Sequence, residues 1–381
     1  MNHQKAVDLI PDGHPDKPRY LSNLATSLEA RFDWLGSLED IEKAILGNQM
    51  AVNLTSDRHP DKPRCLSNLG SALEKRFHRL GSLADIDTAI LNKQKAVHLT
   101  PDGHPSKPSR LSNLGNALQT RFDRLGGLSD IENAILNKQK AVYLTSDGHP
   151  AKPALLSNLG GSLQTRFERF GSLADLEDAI LSKQKAVDLT PNGHPSKPAR
   201  LSNLGSALEI RFYRLGSLGD IETSILNKQK AVDLTPDGHP AKPALLSNLG
   251  NSLQTRFNQP GSLINLESAI SSAQKAIDVT PDGHPDKPLY VSNLGNAFQR
   301  RFSRLENVAD IEKAILNNEK AVHLTPDGHP DKPRYLSNLG NAQETFFPVR
   351  KPYRYRQRDL EPPKGNRSHT RRPPEHAAIP L

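Results

Sequence analysis

Leu111, Leu114, Leu118, Phe122 and Leu125 recur three or four positions apart, the spacing of one face of an α-helix. Gly126-Gly127 interrupts that stripe, and a second runs through Leu128, Ile131, Ala134, Ile135, Ala141, Val142 and Leu144. Ser146-Asp147-Gly148 closes the segment, where the preceding block reads Pro101-Asp102-Gly103. Pro and Gly there set a turn that neither helix nor strand continues through. His104-Pro105 and Pro108 stand where the next helix starts, and proline is tolerated in a first turn because its missing amide has no partner to lose. The pattern predicts helix A, turn, helix B, turn. Nothing alternates at period two, so no strand is expected.

This unit recurs along the chain. Leu-Ser-Asn-Leu begins at Leu21, Leu66, Leu111, Leu156, Leu201, Leu246 and Leu336, with Val-Ser-Asn-Leu at Val291, and every interval is 45 residues. A fixed period of this length means stacked helical units that bury their apolar faces only against neighbours, so function is expected on a surface and not in one pocket. Glycine recurs in mid-helix at Gly70, Gly115, Gly160, Gly205, Gly250, Gly295 and Gly340, with Ala25 in the first unit. A helical glycine costs about 1 kcal/mol relative to alanine, so its recurrence argues that the backbones of neighbouring helices approach closely there.

The residue pattern resembles the tetratricopeptide repeat. In the fifth unit it reads Leu201, Leu204, Gly205 and Leu208, then Ser224, Ala231 and Pro236. The resemblance covers about residues 3–347. The usual repeat is about 34 residues. The extra length goes to one further helical turn in each helix and a longer linking turn, which keeps the apolar stripe on its face. A HEAT-type repeat would share the period but not this pattern. Asp102 to Leu114, Asp-Gly-His-Pro through to Leu-Ser-Asn-Leu, resembles the kinesin-light-chain-like branch, and the long array resembles multi-repeat proteins of mushroom-forming fungi. The resemblance implies an all-α fold, a right-handed α-solenoid of antiparallel helix pairs. It implies a partial repeat over 1–10 (helix B only) and an array over 11–347 of seven helix pairs plus a final helix A. One departure stands out: the aromatic usual on helix B is Lys93, Lys138, Lys183 or Lys228 here, and Phe77, Phe122, Phe167 and Phe212 on helix A are expected to supply the lost bulk.

Such repeats bind extended peptides or partner helices in a concave groove lined by helix A. By position, the resemblance places there the Asn of each Ser-Asn pair, the residue three later, and the Glu/Gln after that. The candidates are Asn68, Asn113, Asn116, Gln119, Asn158, Gln164, Asn203, Asn248, Asn251, Gln254, Asn293 and Asn296. Carboxamides donate and accept together, which suits a peptide backbone. The same asparagines can instead cap or brace neighbouring helices, and recurrence inside one chain serves both roles.

His14, His59, His104, His149, His194, His239, His284 and His329 fall one per unit. Equivalent residues on packed helices stand about 8–10 Å apart, whereas zinc ligands lie about 2 Å from the ion, so each is expected to be a turn residue. Arg-Phe, from Arg31-Phe32 to Arg301-Phe302, offers either a ladder of cations to an acidic partner or a core Phe beside an Arg whose stem covers the seam. No serine, cysteine or carboxylate set stands out from the repeat as a catalytic group, so no enzymatic activity and no cofactor or metal is expected.

Charge changes this picture only at one end. The net charge is +8, yet from Pro348 onward there are nine Lys/Arg and three Asp/Glu, leaving 41 and 39 in the rest. The repeats are nearly neutral. Residues 348–381 lose the helical period and read as a basic, Pro/Arg-rich disordered tail. Arg350, Lys351, Arg354, Arg356 and Arg358, with Tyr353 and Tyr355 between them, make nucleic-acid binding a minor alternative. One cysteine, Cys65, fits a reducing compartment, and no run near 18 apolar residues spans a membrane. The expected location is cytoplasmic. Both ends cut through a hairpin, which suggests a fragment or frame-shifted gene model whose open ends permit self-association. The expected function is a scaffold that binds a protein or peptide partner. The alternative is a repeat arm of a larger signalling NTPase or CHAT-type peptidase, neither of which this sequence contains.

Overall fold

The computed structural model describes residues 2–11, 13–257 and 263–350, with the last three as backbone alone. Sixteen helices and no strand occur among the described residues. They divide into two compact units, Met1–Gly261 and Ser262–Leu381.

The first unit opens with α1 (Asn2–Leu9). Five A/B pairs follow: α2 (Lys17–Leu35) with α3 (Leu38–Leu54), α4 (Lys62–Leu80) with α5 (Leu83–His98), and α6 (Lys107–Leu125) with α7 (Leu128–Tyr143). Then come α8 (Lys152–Phe170) with α9 (Leu173–Asp188), α10 (Lys197–Leu215) with α11 (Leu218–Asp233), and the A helix α12 (Lys242–Phe257). The second unit holds α13 (Leu263–Asp278), α14 (Lys287–Leu305), α15 (Val308–Leu324) and α16 (Lys332–Arg350). The last helix thus runs three residues past Phe347, and the remainder of the basic tail lies outside the described residues.

Local chemistry sets the helix ends. The A helices described at both ends begin with proline in their first turn and stop at a residue in the left-handed conformation whose amide donates to the Phe carbonyl four residues back. In the first unit that residue is Gly36, Gly81, Gly126, Gly171 or Gly216, with φ of 67 to 79°, a conformation glycine adopts without steric cost. In the second unit Glu306 takes it, at φ 54°. The far end of each B helix is held by the lysine that opens the next A helix. Lys152 Nζ donates to the carbonyl oxygens of Val142 and Thr145 at 2.7 and 2.5 Å, and Lys62, Lys107, Lys197 and Lys242 repeat the arrangement. An ammonium at a helix C-terminus satisfies orphan carbonyls and offsets the negative end of the dipole.

The core lies between helices. Phe122, Ile131, Ala134 and Ile135 of α6 and α7 pack with Phe77, Ile86 and Ile90 before them and with Leu159, Leu163 and Ala179 after them. Phe77, Phe122, Phe167 and Phe212 are all buried. Leu125 and Leu128 depart from their stripes: both stay about half exposed, because they flank the Gly126-Gly127 corner, which α8 approaches only across an open cleft with Thr165, Glu168 and Arg169 on its far side. On α16, Leu336 is 49% exposed where Leu111 is 2%, since α15 packs on one side of α16 and no B helix follows it among the described residues.

Candidate functional site

The Arg-Phe arginines close their own hairpins except Arg256, which has Asn265 nine residues on and pairs with Glu222 of the preceding B helix instead. Arg76, Arg121, Arg166 and Arg211 each make two hydrogen bonds to the aspartate nine residues on, Asp85, Asp130, Asp175 or Asp220. That aspartate sits in the first turn of helix B, where a negative charge meets the positive end of the dipole. Arg121 also reaches Asp87 of the preceding B helix at 2.8 Å. The cation ladder is therefore spent on internal pairing.

The histidines are turn residues. In all eight units the imidazole Nδ1 accepts the backbone amide two residues on, at 3.1 to 3.2 Å. This fixes the entry into helix A, and a ring nitrogen accepts in this way only while it carries no proton.

The A helices of the first unit touch one another as well as their B partners: α2 meets α4, α6 meets α8 and α10 meets α12. B helices do not match that closeness, so the A side is the inner, tighter one. On it Asn113, Asn203, Asn248 and Asn251 are exposed, and Asn68, Asn116 and Asn158 are half-buried. Asn158 Nδ2 donates to Ser112 Oγ of the preceding A helix at 3.2 Å, and Asn248 reaches Ser202 Oγ at 3.5 Å. These two brace as well as face outward. Asn293 and Asn296 lie half-buried on α14 in the second unit.

The glutamines sit deeper, in a polar seam between helices that no pattern along one helix foretells. Lys138 of α7 is buried, and its Nζ donates to Gln119 Oε1 of α6 and to Ser162 Oγ of α8, both at 2.7 Å. Gln119 in turn donates to Thr165 of α8 at 3.1 Å. Lys228 does the same between Glu209 and Ser252, at 2.6 Å each. Lys93 pairs with Glu74, and Lys183 with Gln164. Gln254 is buried. Where the partner is a neutral glutamine, burial pushes the lysine down: Lys138 and Lys183 fall to about 8. A cleft of about 470 Å³ opens beside this seam, lined by Phe122, Asp123, Thr165 and Glu168 among others. The four lysines were visible in the sequence only as missing aromatics; their partners stand 19 residues upstream, on another helix.

No family model and no curated protein matches this sequence. Among solved structures, the C-terminal part of a repeat protein from Cytophaga hutchinsonii is similar over 84% of this chain and 99% of that chain, at 14% identity and a TM-score of 0.53. That protein is a tetratricopeptide-repeat protein. The fold here is the tetratricopeptide-repeat fold. Nearly identical tetratricopeptide-like repeats of a putative kinesin light chain from Podospora anserina are also similar, over 57% of this chain and 98% of that one, at 17% identity and a TM-score of 0.43. Among the described residues, no helix of the tetratricopeptide array is long and apolar enough to cross a membrane.

Proposed function

We propose that this chain is a protein-interaction scaffold that takes an extended peptide or a partner helix along the A-helix side of its first unit. The observation that carries this reading is the exposure of Asn113, Asn203 and Asn248 at one register in the third, fifth and sixth repeats. Each amide offers a donor and an acceptor to a passing backbone. The seam beneath them supports the same reading: Gln119, Lys138 and Ser162 tie three consecutive helices together, so the face is held before a partner arrives, which lowers the ordering cost of binding. We place the chain in the cytoplasm, in keeping with its single cysteine, Cys65, a buried free thiol.

A photo-crosslinking amino acid at position 113 or 203 tests this. The expected result is one recurrent partner other than the chain itself, captured from either position and not from the same substitution at Gln139 on the opposite side. Replacing Asn113, Asn203 and Asn248 together by alanine should then reduce capture while helicity stays constant. Capture that is equal from both sides, or indifferent to the triple replacement, would falsify the reading.

A further inference from the structure

Each B helix of the first unit carries a second exposed stripe that faces away from the A helices. In α5 it runs Asp87, Leu91, Lys95; in α7, Glu132, Leu136, Lys140; in α9, Glu177, Leu181, Lys185; in α11, Glu222, Leu226, Lys230. In α3 it runs Glu42, Leu46, Met50. Residues four apart stack along one helix face, so the units together set a row of acids, a file of leucines and a row of lysines side by side. The five leucines are 61 to 69% exposed. The fold does not require them, since the sixth unit has Ser271 at that register. A file of large apolar side chains held in water marks an interaction surface.

We propose that a second copy of this chain covers this face. Charge selects both the occupant and the arrangement. A two-fold axis parallel to the leucine file reverses the helix direction of the second copy. Leucine then meets leucine, and the acid row of each copy faces the lysine row of the other, unit by unit. A two-fold axis along the helices would set acids against acids, so electrostatics favours the first arrangement and disfavours the second. The acids and lysines have intramolecular neighbours, such as Arg121 for Asp87 and Asp57 for Lys95. They nevertheless keep about half their surface in water. With the exposed glutamines Gln49, Gln94, Gln139, Gln184 and Gln229, the face presents some twenty side chains, and a standard interface uses roughly 20–30 a side.

Sedimentation of the full chain over a concentration series tests the pairing, with no groove residue altered, so the outcome is separate from that of the scaffold reading. The wild type should sediment as a dimer. Changing Leu91, Leu136 and Leu181 to serine, the natural occupant in the sixth unit, should raise the dimer dissociation constant by about tenfold or more with helicity and thermal midpoint held. The charges give a second, reciprocal check. A chain with Lys140→Glu and Lys185→Glu, and another with Glu132→Lys and Glu177→Lys, should each be monomeric alone and should dimerise when mixed. A wild type that stays monomeric overturns the proposal, as does a dimer indifferent to the leucines or a charge-swapped pair that fails to recombine. Leucine-dependent binding of a monomeric wild type to phosphatidylcholine vesicles would assign the face to a bilayer and overturn it too.

Discussion

Gly115 and Lys138 occupy one space: a Cβ on Gly115 would stand 2.8 Å from Lys138 Cγ and 2.9 Å from the carbonyl oxygen of Ala134. The same juxtaposition recurs at Gly70 with Lys93, Gly160 with Lys183 and Gly205 with Lys228. The lysine stem lies across the A helix only because that helix has no side chain there. The first repeat solves the problem from the other side. It has Ala25 on helix A and the shorter Asn48 in place of the lysine.

Gly115→Ala should therefore destabilise the first unit, although alanine is the better helix former. One methyl forced against a helix backbone and a buried stem costs about 1–3 kcal/mol. Chemical denaturation of the variant checks this, and a neutral or stabilising effect would show that α6 and α7 separate freely.

Lys138 gives the stability a pH dependence whose sign can be worked out. Burial holds it at about 8 when folded, against about 10.4 in an unfolded chain. Between those values the unfolded chain carries a proton that the folded chain has released, so this group's contribution makes stability rise with pH across the window. Measured against Lys138→Met, the wild type should gain up to roughly 3 kcal/mol from below pH 8 to above pH 10. A difference that stays flat over that range would remove the group from the account.

Glu306 holds a left-handed conformation at φ 54° where the first unit uses glycine. Relief of the steric cost, less the entropy that glycine adds to the unfolded chain, leaves Glu306→Gly about 0.5–1 kcal/mol more stable. The thermal midpoint of the second unit's transition should rise; a fall would mean that the Glu306 side chain contributes more than its backbone costs.

Lys152→Met keeps the buried stem of the helix-opening lysine and removes its two bonds to the carbonyls of Val142 and Thr145. Hydrogen bonds to a charged group contribute about 1.5–3 kcal/mol, and the loss should appear first as faster amide exchange in the last turn of α7. Exchange unchanged there would transfer the capping role to Thr145, whose Oγ1 donates to the Ala141 carbonyl at 2.8 Å.

Helix existence and order were legible in the chain, because a stripe such as Leu111, Leu114, Leu118 and Phe122 has one reading at period 3.6. Its ends were less so. Leu125 and Leu128 continue the stripes in sequence and yet stay about half exposed, since periodicity shows which face a residue is on and not how much of it a neighbour covers. The candidate site divides in the same way. Asn113, Asn203 and Asn248 stand exposed on the A side. Gln119 and Gln164, equally polar and only one or two turns further along the helix, are occupied by Lys138 and Lys183. The leucines of the outer stripe are hidden in the pattern, because Leu136 directly follows Ile135 and the two read together as apolar.

By itself the sequence determined the period, the helix-turn-helix unit, the glycine positions and the turn role of the histidines, all of which depend on residues within one or two turns of each other. Only the tertiary structure decided which polar groups are free to meet a partner. Lys138 meets Gln119 and Ser162 across two helix boundaries, and Arg121 meets Asp87 of the preceding unit. Such pairings depend on how neighbouring helices stack, and a pattern read along one helix contains no distance to the next.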